Sequence, residues 1–301
     1  MSLESRRGFL GKSAILSGVA ALSAAKASEA ATLPQMRLGK YSLSRLVVGN
    51  NMFGGGTHLS IFLNKHLKQY YTTDRILQTV RRCHEVGINC WQSGAGNGSL
   101  YQHLADEGVK MHALAIESGD QSRIQACVKG GFIGIAHHGE VSDGLFKGGK
   151  VDQINDFLKR VRDSGLLVGV STHMPAVVDT VESKGWDVDY YMTCVYERHR
   201  SAAQLKSLLG YVPLPPGEVY LQEDPARMFK MIRQTKRPCL AFKILAAGRV
   251  CDKPETVETA FRDTFANIKP IDGVIVGMYD EFSDQPLENA NLVRKYGTVA
   301  G

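Results

Sequence analysis

The chain has 301 residues, of which 44% are hydrophobic and 22% are charged, and its net charge is +6 at pH 7. A chain of this size can bury one large core, and it lacks the lysine and arginine run that would favour nucleic acid as a partner. The six cysteines form no C-x-x-C pair, which argues against a zinc ribbon or a thioredoxin-like redox motif.

The N-terminal stretch predicts an export signal. The segment "SRRGFLGK", residues 5–12, places Arg6 and Arg7 before a short apolar run that ends in small residues. This layout is typical of a twin-arginine signal, and the apolar run is shorter than the ~20 residues that span a bilayer. We therefore expect residues 1–30 to be a signal recognised by the twin-arginine translocase. We expect residues 31–301 to form an exported, periplasmic barrel without a stable membrane anchor.

After the signal, apolar runs alternate with amphipathic helical stretches. In chain order the runs are "SRLVVGN", "INCWQ", "MHALAIE", "FIGIAHH", "LLVGVSTH", "YYMTCVY", "CLAFKIL" and "DGVIVGM". Apolar strands separated by helices are typical of a parallel sheet that is covered on both faces. Eight such units predict an α/β fold, the (β/α)8 TIM barrel, with functional groups at the C-terminal strand ends. The alternative is an open doubly wound sheet, whose G-x-G-x-x-G motif is missing from "GNNMFGGGTH".

The stretches between these runs carry the apolar stripe of surface helices. In "TDRILQTVRRCHEVG", positions 76, 77, 80, 83 and 86 are apolar at helical spacing behind a cap predicted at Asp74. The stretch "VDQINDFLKRVRDSG" repeats this pattern and is predicted to end at Gly165.

The segment "MRLGKYSLSRLVVGNNMFGGGT" resembles the start of the aldo/keto reductase family. In that family a short hairpin closes the barrel bottom, and the first strand leads into a G-x-x-x-F-G-G loop. The resemblance continues in order through "CHEVGINCWQSG", "FIGIAHHGE", "SGLLVGVSTH" and "LAAGRV", over most of the chain. It implies a barrel of the aldo/keto reductase type.

The resemblance also implies a catalytic set that this chain has largely replaced. The family uses an aspartate at the second strand end, a tyrosine five residues later, a lysine after the third strand and a histidine after the fourth. The matching positions hold Gln92, Asn97, the segment at Glu117, and either His137 or His138. An amide is not a general acid near neutral pH, so this chain lacks the family's proton donor.

The family's nicotinamide-binding positions are altered as well. Ser171 and Thr172 stand where the family holds the nicotinamide amide, and Gly277 opens the last segment, "GMYDEFSD". There, Asp280 and Glu281 would repel a 2′-phosphate. The resemblance thus leaves NAD(H) as an alternative cofactor and disfavours NADP.

Titratable side chains near the later strand ends predict a different chemistry. They are Glu117, His137, His138, His173, Glu197 and Lys243. His137, His173 and Glu197 are the ligand types of a divalent metal site. Alternatively, a buried Lys243 beside a carboxylate, Glu117 or Glu197, acts as base or nucleophile, because burial lowers a lysine pKa, and His137 is a further catalytic candidate. The competing interpretation is a structural ion pair of Lys243 with Glu117 or Glu197. Neighbouring strand residues point to opposite faces, so only one of His137 and His138 can face the barrel axis.

Two long loops, residues 54–72 and 203–224, carry tyrosines beside these strand ends. Aromatic rings and amides suit a small carbohydrate-like molecule, which offers both an apolar face and hydroxyl groups. The predicted substrate contacts are Gln92, Asn97, His138 and Tyr196.

Three functions are compatible with the sequence. The first is an exported barrel enzyme that acts on a small polar, carbohydrate-like substrate by acid–base or metal-assisted chemistry, as a lyase, isomerase or hydrolase. The second is a nicotinamide-dependent oxidoreductase with a rebuilt active site. The third is a non-catalytic binding protein. Twin-arginine export carries folded proteins, which favours the two enzymes because they would acquire a metal or cofactor before export.

Overall fold

The computed structural model of the protein describes residues 32–298, and the predicted signal, residues 1–30, lies outside the described residues. The strands are β1 Gln35–Leu38, β2 Tyr41–Ser44, β3 Leu46–Gly49, β4 Cys90–Ser93, β5 His112–Glu117, β6 Gly134–His137, β7 Leu167–Thr172, β8 Tyr190–Cys194, β9 Cys239–Phe242 and β10 Gly273–Gly277. The helices are α1 Ile61–Tyr70, α2 Thr73–Glu85, α3 Gly98–Asp106, α4 Gln121–Lys129, α5 Gly139–Lys147, α6 Asp152–Asp163, α7 Pro175–Ser183, α8 Ala202–Leu209, α9 Asp224–Gln234, α10 Pro254–Asn267 and α11 Gln285–Tyr296. Short 3₁₀ turns occupy Ala95–Asn97 and Ala246–Gly248.

Strands β3 to β10 form a closed parallel barrel, and each strand pairs with its neighbour in the chain. Closure comes from β10, which lies beside β3 with Val274 opposite Leu46 and Ile275 opposite Val47. This confirms the predicted (β/α)8 barrel and excludes the open doubly wound sheet, whose edge strands would stay unpaired.

The strands divide the core into two layers. Alternate residues such as Val47, Leu114 and Met192 fill the barrel interior, while Val48 and Ala113 pack against the surrounding helices. Both layers are apolar because both faces of a parallel sheet are covered. The strand segments of the sequence are continuously apolar because both of their faces are covered.

The hairpin of β1 and β2 closes the N-terminal end of the barrel. Its side chains Met36, Leu38 and Leu43 belong to the interior core. The Met36 sulfur lies against Gly273, the first residue of β10, where an added Cβ would approach it to 2.8 Å. With its bottom filled, the barrel can receive a ligand only at the C-terminal strand ends.

The helices begin and end on local signals. Helix α2 is capped by Thr72, whose hydroxyl accepts a hydrogen bond from Arg75 N at 3.3 Å, so the predicted cap at Asp74 falls inside the first turn. The stretch with α6 ends as predicted, since Gly165 follows it with φ +80°.

Within residues 32–298, no helix is long and apolar enough to cross a membrane.

Candidate active site

Strand phase determines which of the predicted site residues face the barrel axis. Along β6, Ala136 belongs to the interior core and Ile135 to the outer core, and Ala115 of β5 is also in the outer core. Residues two apart on a strand point the same way, so Glu117 and His137 continue the outer series. Both therefore enter the layer between the barrel and its helices.

The contacts of His137 agree with this direction. Its Nδ1 atom lies 2.7 Å from the Ser142 hydroxyl of α5, and its ring lies 5.0 Å from the Phe157 ring of α6. Burial lowers the pKa of His137 to about 4. The expectation that His137 lies at the barrel mouth, as catalyst or metal ligand, is therefore corrected: the side chain packs under the helices.

Glu117 anchors the turn after β4. Its carboxylate accepts hydrogen bonds from the Ala95 backbone nitrogen at 2.8 Å and from Arg123 Nη2 at 2.8 Å. It is buried and ion-paired with Arg123, in contrast to the alternative of a structural ion pair with Lys243. Through these contacts Glu117 holds the loop that carries Asn97 in place.

His138 takes the inward direction that His137 does not. It follows the end of β6 and precedes α5. Its Nδ1 atom is buried and has no hydrogen-bond partner in the described part of the protein. Burial, followed by the nearby His173, lowers the pKa of His138. A neutral imidazole with an unused nitrogen thus stands at the barrel mouth.

Lys243 lies just beyond β9, which ends one residue earlier at Phe242. Its backbone is in the left-handed region with φ +59°, and its Nζ atom lies 3.2 Å from His58 Nε2. Burial lowers the pKa of this amine to about 8, and Arg198 and Arg249 also lower it. No carboxylate forms an ion pair with Lys243 within residues 32–298.

His58 connects Lys243 to a carboxylate. The His58 Nδ1 atom lies 2.9 Å from Glu218 Oε1. An ionised carboxylate only accepts hydrogen bonds, so we assign the proton of the neutral ring to Nδ1 and the lone pair to Nε2, which faces the lysine. Burial, together with the charges of Lys243 and Arg198, lowers the pKa of His58 to about 3. We call this hydrogen-bonded series Glu218–His58–Lys243 the mouth triad.

The backbone of the mouth triad is unusual. His58, Glu218 and Lys243 have φ of 58°, 59° and 59°, and the only other described non-glycine residues with positive φ are Ala246 and Ala247. This conformation costs roughly 1–2 kcal/mol for a residue with a Cβ. Such strain persists where surrounding contacts impose it, and it is concentrated at functional sites. In this protein it coincides with the mouth triad and the turn beside it.

Arg198 and Arg249 hold the triad in place. The guanidinium of Arg198 is 2% exposed and contacts both Glu218 and Glu140. Arg249 donates a hydrogen bond to the His58 backbone oxygen at 3.0 Å. The contact with Arg198 fixes the carboxylate of Glu218 beside His58, where it orients the imidazole ring.

The predicted metal ligands do not come together. His173 is bound through Nδ1 to Asp143 at 2.7 Å, and Glu197 contacts Arg227 at 2.8 Å. These two side chains line one small crevice, but His137 lies in a different layer. In the described range, no group of three or more His, Cys, Asp or Glu is placed to hold a metal ion. The donor set therefore does not fit the predicted metal site.

The predicted substrate contacts are split between two sides of the mouth. On one side, the Asn97 amide donates to Asn50 Oδ1 at 3.0 Å, and Gln92 donates to the Ser93 backbone oxygen at 3.1 Å. On the other side, the Tyr196 ring lies 5.2 Å from the Tyr220 ring. Tyr220 in turn donates to Glu218 Oε2 at 3.1 Å, so this aromatic pair adjoins the triad.

The residues predicted to hold nicotinamide do not offer the expected groups. The Thr172 hydroxyl donates to Asp143, which leaves Ser171 without its partner in binding an amide. Gly277 is exposed, and an added Cβ there would lie 2.9 Å from the Met52 Cγ atom. Asp280 is turned towards Arg75 at 3.3 Å. The site thus does not fit a nicotinamide held in the manner of the family.

No family model matches the chain, and no curated protein matches it. Solved structures do match. A putative aldo-keto reductase from Pseudomonas aeruginosa is similar with a TM-score of 0.54 and 13% identity, over 89% of this chain and 97% of the other. A truncated 3-deoxy-D-arabino-heptulosonate 7-phosphate synthase from Thermotoga maritima is similar with a TM-score of 0.53 and 11% identity, over 88% of this chain and 91% of the other. At these identities the similarity shows the (β/α)8 barrel fold alone, so function has to be argued from the site.

Three functional candidates at the mouth were not singled out by the sequence: His58, Glu218 and Arg198. The first two lie in the long loops after β3 and β8 that were expected to adjoin the substrate, and Arg198 closely follows β8. The sequence carries little indication of this cluster, because residues 58, 198, 218 and 243 come together only when the loops fold.

Proposed function

We propose that the protein is a barrel enzyme that acts on a small, polar, carbohydrate-like substrate by acid–base chemistry of the lyase, isomerase or hydrolase type. The observation that carries this proposal is the mouth triad, in which Lys243 contacts His58 at 3.2 Å and His58 contacts Glu218 at 2.9 Å. A reactive amine held by a hydrogen-bond acceptor that is itself oriented by a third group is positioned for attack on a substrate or for proton transfer to it.

A purely structural role for Lys243 is less compatible with its surroundings. A structural buried ammonium is normally paired with a carboxylate. The two carboxylates expected to pair with it are engaged elsewhere, Glu117 with Arg123 and Glu197 with Arg227. The pKa of about 8 instead places a useful share of neutral amine near physiological pH.

Unpaired nitrogen atoms around the mouth support a polar substrate. The His138 Nδ1 and Arg198 Nε atoms are buried and have no hydrogen-bond partner among residues 32–298. An unpaired buried polar atom costs about 1–3 kcal/mol, which oxygen atoms of a ligand can recover. The hydroxyl and carbonyl groups of a carbohydrate-like molecule supply such oxygens.

We further propose that the chain is a divergent relative of the aldo/keto reductases that leaves the cytoplasm through the twin-arginine route. The fold and the "GNNMFGGGT" loop support the first part, and the "SRRGFLGK" segment supports the second. Replacement of the family's acid positions by Gln92 and Asn97 favours altered chemistry over carbonyl reduction.

The proposal is tested by ligand-induced thermal stabilisation with a panel of monosaccharides, sugar acids, oxo-acids, NAD and NADH. We compare the wild-type protein with Lys243→Met and with Lys230→Met, a matched control on the exposed side of α9. Wild type and Lys230→Met should be stabilised by at least one sugar-like compound. Lys243→Met should lose that response while its own melting temperature stays near or above that of wild type, since a buried charge is removed.

Retention of the full response in Lys243→Met would refute the proposed role of the mouth triad. Stabilisation by NAD or NADH alone would favour the nicotinamide-dependent oxidoreductase instead. Binding of a sugar-like compound at Lys243 without any turnover of it would favour the binding protein.

A further inference from the structure

We infer that Lys243 is a covalent nucleophile that condenses with the carbonyl group of a small polyhydroxylated aldehyde or ketone to form an imine. This inference rests on the proposed function and names its substrate class and first chemical step. It assigns to Lys243 a bond to the substrate, whereas the proposed function requires only acid–base chemistry.

The geometry favours attack over a purely structural contact. Lys243 is half-buried at the end of β9, so part of the residue is exposed while the rest is packed. The left-handed backbone at φ +59° turns the chain at the end of β9. The nitrogen then lies 3.2 Å from His58 Nε2 and 6.0 Å from the centre of the Phe242 ring. An amine in this position has a proton acceptor on one side and an apolar surface on the other.

Burial, followed by the charges of Arg198 and Arg249, keeps the amine reactive. The charged and titratable groups that act on it are the Cys194 thiol, Arg198 and Arg249, and its hydrogen-bond partner is His58. With a pKa of about 8, roughly a tenth of Lys243 is neutral at pH 7. This neutral fraction is roughly 300-fold larger than that of an ordinary exposed lysine. A carboxylate in contact with the amine would have the opposite effect, and none is paired with it in the described structure.

The step balances without an added oxidant or reductant. The neutral amine of Lys243 attacks the carbonyl carbon, a C–N bond forms, and the carbonyl electron pair moves to oxygen. The nitrogen passes one proton to that oxygen, and the proton released when the ammonium form of Lys243 became neutral adds to it as a second, so that the oxygen leaves as water. His58 Nε2 accepts a hydrogen bond from the nitrogen and orients the amine for attack. The products are one water molecule and an imine, protonated at nitrogen, when the starting lysine is counted in its ammonium form. The protonated imine then withdraws electrons from the neighbouring carbon atoms of the substrate.

The rest of the mouth suits the hydroxyl groups of such a substrate. The amides of Asn97 and Gln92 lie on one side, and the unpaired His138 Nδ1 adds a further polar atom. Asn51 links the two parts, because its amide lies 3.4 Å from His58 Nε2. These groups bind and orient, and they form no covalent bond.

The experiment traps the imine in the full-length protein. Dihydroxyacetone with sodium cyanoborohydride reduces an imine to a stable secondary amine, and acetylacetone forms a stable enaminone with a neutral lysine. Peptide mass spectrometry then locates the label. We expect preferential labelling of Lys243 in wild type and in Lys230→Met, and labelling at this position at least tenfold slower in His58→Gln. Lys243→Met should carry no label in this peptide.

The pH dependence of labelling separates Lys243 from other lysines. Its rate should rise with pH and level off above about pH 8, whereas labelling of exposed lysines should continue to rise. Labelling of exposed lysines only, in the folded protein, would overturn the inference. If Lys243→Met still loses the ligand response in that case, the lysine acts as an acid–base group and the proposed function stands. If Lys243 is labelled but Lys243→Met keeps the full ligand response, the proposed function fails, while the inference that Lys243 is a nucleophile stands.

Discussion

The Nδ1 atom of His173 lies 2.7 Å from Oδ2 of Asp143, and both side chains are buried. The carboxylate of Asp143 also accepts hydrogen bonds from the Thr172 hydroxyl and from the His173 backbone nitrogen, the latter at 3.2 Å. One acid on α5 therefore fixes the end of β7 and sets the ring orientation of a histidine at the mouth. With Nδ1 engaged, the Nε2 atom of His173 is left for other partners.

Asp143→Ala should lower the free energy of unfolding by about 3–5 kcal/mol, because it leaves a buried histidine and two donors without their acceptor. Asp143→Asn keeps one acceptor oxygen and should cost less. Urea denaturation of both variants measures the difference. Equal stability of wild type and Asp143→Ala would show that this pairing is not a support of the barrel mouth.

Stability should fall when the pH drops from 7 towards 4. Burial lowers the pKa of His58 to about 3 and of His137 to about 4, and it also lowers that of His138. The unfolded chain binds these protons near pH 6.5 and the folded chain only at lower pH, so the stabilisation is complete above pH 6.5 and is lost as the pH falls. His58 and His137 each contribute a slope of up to about 1.4 kcal/mol per pH unit in this window.

The measurement is the free energy of unfolding from pH 7 to pH 4 for wild type and His137→Asn. Asparagine retains a polar group for the Ser142 hydroxyl and does not titrate. The variant should therefore show a shallower acid loss, although it is less stable at pH 7. An unchanged slope would mean that His137 is protonated in the folded state.

Replacing Arg6 and Arg7 with lysine should leave unprocessed protein in the cytoplasm, because the twin-arginine route depends on that pair. Cell fractionation with N-terminal sequencing measures processing and location. A lysine substitution at Arg37, far from the proposed signal, serves as the control and should be exported normally. Normal processing of the double variant would contradict the proposed export route.

Reduction of simple aldehydes with NADPH should be absent or very slow. Gln92 and Asn97 supply no acidic proton, and Glu281 at the barrel mouth opposes a 2′-phosphate. The assay is NADPH consumption with a series of small aldehydes, together with NADPH titration by fluorescence. Tight NADPH binding with rapid turnover of a generic aldehyde would contradict both the altered chemistry and the disfavoured cofactor.

The barrel was predictable from sequence because its strands carry their own signal. A run such as "LLVGVSTH" is apolar throughout only if both faces of the strand are covered, as they are in β7. The predicted runs overlap β3 to β10 within a few residues at each end. The run "CLAFKIL" was extended too far, since the strand stops at Phe242 and the chain then turns at Lys243.

The site was harder to predict because it depends on features without a local pattern. The sequence shows that His137 and His138 point to opposite faces, but the direction of each is set by strand register in the closed barrel. His58 and Glu218 are far apart in the chain, and their contact depends on how two long loops fold over the mouth. Lys243 was recognisable, because a lysine within an apolar run is costly and needs an explanation.

The pairing of β10 with β3 also constrains how the protein is made. Residues 46–49 find one of their two partner strands only when residues 274–277 have left the ribosome. Arg45, beside β3, likewise donates hydrogen bonds to the backbone oxygens of Lys269, Asp272 and Gly297, all near the end of the chain. Non-local contacts of this kind form late, so the barrel cannot close before residues 274–277 are available. Under the proposed route, which carries folded proteins, translocation therefore has to wait until the strand that closes the barrel has been made, although the proposed signal precedes every strand.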